Sequence, residues 1–195
     1  LTRHSEKIVI LPNGVDSDFF HLNSDIQPEN DLVFAGNLGY EPNVAASKYL
    51  YELWLKNLKD LKVRIAGARP EKVLLRLNTT GFEVQGWVPD IRDLYWKGKI
   101  FVAPLFTGSG QQNKILEAMA CGIPVITTTL VNEAIQAKPG IEILLANTTE
   151  EFNYQIKILI DEPQKRNELI KAARQFIVKN YSWNKMGTII EKIIQ

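Results

Sequence analysis

Two rhythms of apolar residues alternate between residues 8 and 147. Short runs rich in β-branched and aromatic residues have the length and composition of strands: IVIL at 8 to 11, LVFAG at 32 to 36, KVRIAG at 62 to 67, FEVQGWV at 82 to 88, IFVAPL at 100 to 105, PVITTT at 124 to 129 and IEILLA at 141 to 146. Between them the period becomes helical. Val44, Ser47, Leu50, Tyr51, Trp54, Leu55 and Leu58 share a face after Pro42-Asn43, and Ile91, Leu94 and Tyr95 mark one short helix. Strands alternating with helices write a parallel sheet with crossover connections, and near-continuous apolar strands require helices on both faces. The pattern predicts a single α/β domain, a doubly wound, mostly parallel, Rossmann-like sheet of six or seven strands. Beyond it, Leu169, Ala172, Ala173, Phe176 and Ile177, then Met186, Ile189, Ile190, Ile193 and Ile194, predict C-terminal helices over 163–195. No internal repeat, low-complexity segment or linker interrupts the chain.

Composition narrows the function classes. With 45% hydrophobic and 23% charged residues in 195, the chain is neither a disordered tail nor a disulfide-stapled miniprotein. A net charge of +1 supplies no field that would draw it onto nucleic acid, so none is expected as a partner. The charge is uneven, however, and residues 163–195 carry a net +5. Docked helices with their lysines in water are the plain reading, and peripheral contact with anionic lipid heads is the sharper one. One cysteine, Cys121, and two unclustered histidines offer neither an intramolecular bridge nor a metal cage, which points to a reducing, cytoplasmic setting. No apolar run approaches the roughly 18 residues of a membrane span, LTRHSEK has no signal-peptide character, and a first residue Leu1 rather than Met suggests a piece of a longer chain.

In doubly wound sheets ligands sit at the carboxyl ends of the strands. Here those ends are rich in glycine: Asn13-Gly14, Gly36-Asn37-Leu38-Gly39, Gly67-Ala68-Arg69-Pro70, Gly86-Trp87-Val88-Pro89-Asp90 and Thr107-Gly108-Ser109-Gly110. The strongest local signal is PLFTGSGQQNKILEAMACGIPVI at 104 to 126: a strand end, a glycine-rich turn, a helix, and Gly122 as its stop. Free N–H groups at a helix start bind phosphate through the backbone. Ile115, Leu116, Met119 and Ala120 form the apolar face of that helix, whereas Gly110, Asn113, Lys114 and Glu117 fall on a polar stripe. Lys114 is placed to neutralise a phosphate, and Glu117, one turn on, to accept two hydroxyls of a ribose. The plain alternative is an exposed Lys114 to Glu117 pair worth some tenths of a kcal/mol. A dinucleotide site is a rival, because GSGQQN nearly matches G-x-G-x-x-G. Asn113 replaces its third glycine, though, the loop follows the fifth run, and Glu133 falls in a segment that reads as a loop. Cys121, Trp54, Trp96 and Trp183 read as packing, and His4 and His21 as surface residues. Trp87, on the ligand rim, reads equally as a base contact and as packing.

These pieces, in this order, resemble the C-terminal, donor-binding half of a GT-B glycosyltransferase of family four, the retaining nucleotide-sugar group. The segments that carry the resemblance are ILPNGVDSDFF at 10 to 20, LVFAGNLGYEPNV at 32 to 44, VQGWVPDIRDLY at 84 to 95, NKILEAMACGIPVITT at 113 to 128 and YSWNKM at 181 to 186. It implies that Glu117 binds the donor ribose, that Gly108, Ser109, Gly110, Gln111, Gln112, Asn113 and Lys114 hold the diphosphate, and that Trp87 and Val88 meet the base. Gly36, Asn37, Leu38 and Gly39 would form a loop facing the cleft between two domains. The sequence departs from the family twice. Ser109 stands where a second glutamate contacts the sugar, and Asn37 and Asn43 stand near the places of an Arg and a Lys that grip the diphosphate. Lys114 is the candidate replacement for that charge, with Arg69 a weaker one. The resemblance further implies a nucleotide-diphosphate sugar as substrate, no cofactor or metal, and catalytic residues in an N-terminal domain outside this chain. That domain would hold a carbohydrate or lipid-linked acceptor at the inner face of the cell membrane, in the manner of bacterial envelope and exopolysaccharide enzymes. A nucleotide-sugar isomerase of 2-epimerase type and a non-catalytic nucleotide-binding module are the alternatives.

Overall fold

Six of the predicted runs pair into one sheet. The structure, a computed structural model, describes residues 11–108 and 110–194; His4, Ser109 and all but Leu11 of the run at 8 to 11 lie outside the described residues. The strands are β1 (Asn30–Ala35), β2 (Val63–Ala66), β3 (Phe82–Gln85), β4 (Gly98–Ala103), β5 (Val125–Thr127) and β6 (Leu144–Leu145). Their order is β3-β2-β1-β4-β5-β6, and every pairing is parallel. Leu32, Val33 and Phe34 of β1 and Ile100, Phe101 and Val102 of β4 are fully buried, as strands covered on both faces must be. The sequence runs overshoot the strands at their carboxyl ends, because Gly86-Trp87-Val88 and Pro104-Leu105 leave the sheet to build its rim.

Among the described residues eight helices connect and flank the strands: α1 (Glu41–Asn57), α2 (Lys72–Leu75), α3 (Ile91–Trp96), α4 (Asn113–Ala120), α5 (Thr129–Ile135), α6 (Thr149–Asp161), α7 (Pro163–Tyr181) and α8 (Trp183–Ile194). Pro42 sits in the first turn of α1, where its missing N–H would have had no partner, and the helix buries Val44, Leu50, Leu53 and Trp54. The segment holding Glu133 is α5, not a loop. The Thr128 hydroxyl accepts from the Val131 N–H and donates to the Leu105 carbonyl, tying the helix start to the end of β4. α6 opens with a reciprocal cap between Thr148 and Glu151.

The basic C-terminus divides. α7 buries Leu169, Ala173 and Ile177 as its spacing predicts, whereas Met186 is the buried residue of α8. Trp183 is 58% exposed, so it is not core packing; its ring lies over Gly14, where an added Cβ would fall 2.9 Å away. Arg174 does not extend into water. Its guanidinium donates to the carbonyls of Phe20 at 3.2 Å, Ser17 at 3.4 Å and Ala120, the last residue of α4, and so ties α7 to the leading segment and to the orphan carbonyls of α4. Arg174→Leu should lower stability by about 2 kcal/mol, a fall of roughly 4 to 8 °C in Tm; an unchanged thermal melt would remove this role.

The crossovers from β1 and from β4 leave in opposite directions along the strand order, so a crevice opens between them at the carboxyl ends.

Candidate functional site

Glycines at the ends of β1, β2 and β3 carry the sheet one residue further. Gly36 N–H donates to the Ala66 carbonyl and Gly67 N–H to the Gly86 carbonyl, each at 3.2 Å. The backbones meet so closely that a Cβ on Gly67 would lie 1.6 Å from the Gly36 oxygen, while one on Gly36 would lie 2.7 Å from the Asn43 side-chain Nδ2. Beyond this rim is a cleft of about 520 Å³, lined on one side by Gly36, Asn37, Arg69, Trp87 and Val88 and on the other by Tyr95, Lys114 and Glu117.

The predicted loop Gly36 to Gly39 contributes only in part. Leu38 is fully buried in the core, with its N–H on the Ala68 carbonyl, so its side chain does not face the cleft. Gly39 folds back over Arg69, and Asn37 Oδ1 accepts its N–H at 3.1 Å. Arg69 itself is exposed and has φ of 54°, a left-handed conformation unusual for a residue with a Cβ. Trp87 is 69% exposed, which excludes plain packing and leaves a large aromatic face available beside half-buried Val88.

The opposite wall comes from α3 and α4. Lys114 donates to Asn43 Oδ1, Asn43 Nδ2 donates to the Asn37 carbonyl at 2.9 Å, and the ammonium sits 5.0 Å from the Phe34 ring centroid. Burial lowers the Lys114 pKa to about 8, against the opposing pull of Glu117. Burial also raises the pKa of Glu117, opposed by a hydrogen bond from the Tyr95 hydroxyl to Oε2 at 2.9 Å and by the Lys114 charge. Among the described residues Lys114 and Glu117 form no ion pair, and both line the cleft, so they are not an ordinary surface couple.

The glycine loop is placed differently from its prediction. Gly108 and Gly110 have φ of +105° and +81°, which only glycine adopts freely. α4 begins at Asn113, with Gln112 as its cap residue, so Gly110 lies outside the helix and the polar stripe shortens to Asn113, Lys114 and Glu117. Gln111 and Asn113 are turned toward the leading segment. Gln111 Oε1 accepts from the Asn13 N–H at 3.0 Å, its amide donates to the Asn13 carbonyl at 2.9 Å, and Asn113 Oδ1 accepts from Asn13 Nδ2 at 3.2 Å. The carboxamide of Gln111 has one donor and one acceptor in the spacing of a backbone edge, which is why it pairs with Asn13 instead of lining the cleft. A Cβ added at Gly108 would lie 3.6 Å from the Pro42 ring. No described residue accepts from the backbone N–H of Asn113 or Lys114.

Asn13 and Tyr95 were missing from the sequence-derived site. Tyr95 sits on the apolar face of α3, and its spacing gives no sign that the hydroxyl ends on Glu117. Cys121 is buried and its thiol is pushed up to about 12 by that burial, so it is packing and not a nucleophile. Among the described residues no three His, Cys, Asp or Glu side chains cluster as metal ligands, and no helix is long and apolar enough to cross a membrane.

The family model described as Glycosyl transferases group 1 matches residues 29–162. No curated protein matches the sequence. Among solved structures, a glycosyltransferase from Rickettsia africae superposes with a TM-score of 0.76 at 17% identity, over 97% of this chain and 58% of that one. Anabaena HepE in complex with UDP gives a TM-score of 0.79 at 15% identity, over 95% of this chain and 57% of its own. The C-terminal domain of the LpcC glycosyl transferase group 1 family protein from Francisella tularensis gives 0.71 at 18% identity, over 87% of this chain and 100% of that domain. The chain thus spans just over half the length of the first two. At these identities the likeness carries the fold, and the six-stranded parallel sheet with flanking helices is that of a GT-B glycosyltransferase domain.

Proposed function

Because the chain belongs to the glycosyl transferases group 1 family, we propose that its cleft binds the nucleotide-diphosphate sugar donor of a retaining family-four enzyme. One observation carries this reading: a cation and a carboxylate from α4, Lys114 and Glu117, and an exposed aromatic from the loop after β3, Trp87, border one cleft at the switch point of the sheet. In this reading Glu117 accepts the ribose hydroxyls, Trp87 and Val88 take the base, and Lys114 with the N–H groups at the start of α4 takes the diphosphate, with Arg69 at the rim. Transfer breaks the bond between sugar and diphosphate, and negative charge grows on the leaving group. Fixed donors aimed at that charge lower the barrier without a metal. The acceptor, a carbohydrate or lipid-linked glycan of an envelope polysaccharide, belongs to an N-terminal domain that also supplies the catalytic residues. The basic surface of α7 and α8, with Ile190 and Ile193 exposed, suits a cytoplasmic enzyme working at the inner face of a membrane.

The test is a thermal-shift panel of UDP, GDP, ADP and their sugar conjugates. At ten times the Kd, binding to the native state adds about 1.4 kcal/mol, a rise of roughly 3 to 6 °C. In Glu117→Ala, affinity should fall about tenfold, so that the same concentration raises Tm by only about 1 °C. A flat response to every compound at millimolar concentration would sink the donor reading.

A further inference from the structure

The donor reading leaves the Tyr95 hydroxyl without a task. Tyr95 is 1% exposed, and its ring packs edge-to-face on Phe101 and Phe20 with centroids 5.7 and 6.5 Å away. A phenylalanine would serve that packing equally well. The hydroxyl instead ends on Glu117 Oε2 at 2.9 Å, crossing from α3 to α4. A carboxylate in a helix turns freely about its last bond unless a directional donor fixes its plane. Here the phenol does so, and Glu117 Oε1 has no hydrogen-bond partner among the described residues. We propose that Tyr95 is a positioning residue: its hydroxyl holds the Glu117 carboxylate as a two-point acceptor for a ribose 2′,3′-diol, so the site selects ribonucleoside over 2′-deoxyribonucleoside diphosphates. This rests on the donor reading of the cleft.

The ionisation states agree with the geometry. Burial, then the charge of Glu117, raises the Tyr95 pKa well above its ordinary value, so the phenol remains a donor through the neutral and alkaline range. The same bond works against the burial that raises the Glu117 pKa, which keeps the carboxylate an acceptor to lower pH. The titratable groups around Glu117 are Lys114 on α4, Cys121 just past its end and Tyr95 on α3, with Arg69 lining the same cleft.

Calorimetric titration with UDP, GDP and ADP, each beside its 2′-deoxy counterpart, tests this on the wild type, Tyr95→Phe and Glu117→Gln. The wild type should prefer the ribose form of its nucleotide by about tenfold or more, the loss of one hydrogen bond to a carboxylate. Glu117→Gln should lose most of that preference. Tyr95→Phe, which keeps the ring, should bind the ribose form about fivefold more weakly and prefer it by threefold or less. Its binding should also be lost at higher pH as the solution is acidified, because Glu117 then protonates earlier. Equal weakening toward ribose and deoxyribose forms with an unmoved acid limb would make Tyr95 merely structural and overturn the proposal. If no nucleotide binds the wild type, or if Glu117→Gln keeps the full ribose preference, the donor reading itself fails and the inference falls with it.

Discussion

Gly67→Ala should destabilise the protein by about 3 kcal/mol or more, a fall in Tm of at least roughly 6 °C, or abolish soluble expression. The new methyl would stand 1.6 Å from the Gly36 carbonyl oxygen. That neighbour is main chain at the end of the central strand, so no rotamer change relieves the clash, and β1 and β2 must part where the cleft begins. Gly86→Ala is the control. Its methyl would meet Pro70 at 3.6 Å, an ordinary contact, and should cost under about 1 kcal/mol. Thermal melts of the two variants check the pair, and equal stabilities would show that the close approach at Gly67 has no energetic weight.

Lys114→Met should weaken nucleoside diphosphate binding by about thirty- to hundredfold, since it removes a partly buried charge from the reach of the phosphates while preserving the side-chain volume. pH separates this role from a packing effect. Because burial brings the Lys114 pKa down to about 8, the free protein loses the ammonium as pH rises through that value, and affinity should drop about tenfold between pH 7 and 9. The stability of the unliganded protein should move the other way. Between pH 8 and the ordinary lysine value the unfolded chain still holds the proton that the folded chain has released, so folding is favoured as pH rises across that window. Lys114→Met should show neither slope. Titrations at several pH values and matching melts test both, and a pH-independent affinity in the wild type would exclude Lys114 as the phosphate contact.

Much of the fold was legible because its signals are local. Runs such as LVFAG and IFVAPL could only be buried strands between helices, and Gly122 after Ala120 closes α4 where its spacing ends. α5 was illegible for the opposite reason. Its cap, Thr128, bonds locally to Val131, but the hydroxyl is held in place by the Leu105 carbonyl just beyond the neighbouring strand, a contact that no window of sequence contains. The site follows the same division. Lys114 and Glu117 share a cleft because one helix presents both, as their spacing requires. The orientations of Leu38 and Gln111 are not legible in sequence because each is governed by a distant partner: Leu38 by the core beneath Ala68, and Gln111 by the backbone of Asn13. Trp87 was undecided in sequence because an exposed and a buried tryptophan look alike until the strand beneath it ends.

β1 is also the seam of the sheet in the order of synthesis. β1, β2 and β3 follow one another along the chain and can pair as they emerge, but α4 reaches them only once β4 has aligned beside β1. Closing that non-local pair carries the larger loop entropy, because β4 lies further from β1 along the chain than β2 does. It is also the step that brings Lys114 and Glu117 into the same cleft as Arg69 and Trp87. A chain caught just before it possesses helices and half a sheet but lacks the α4 wall, so the cleft is a property of the finished domain alone.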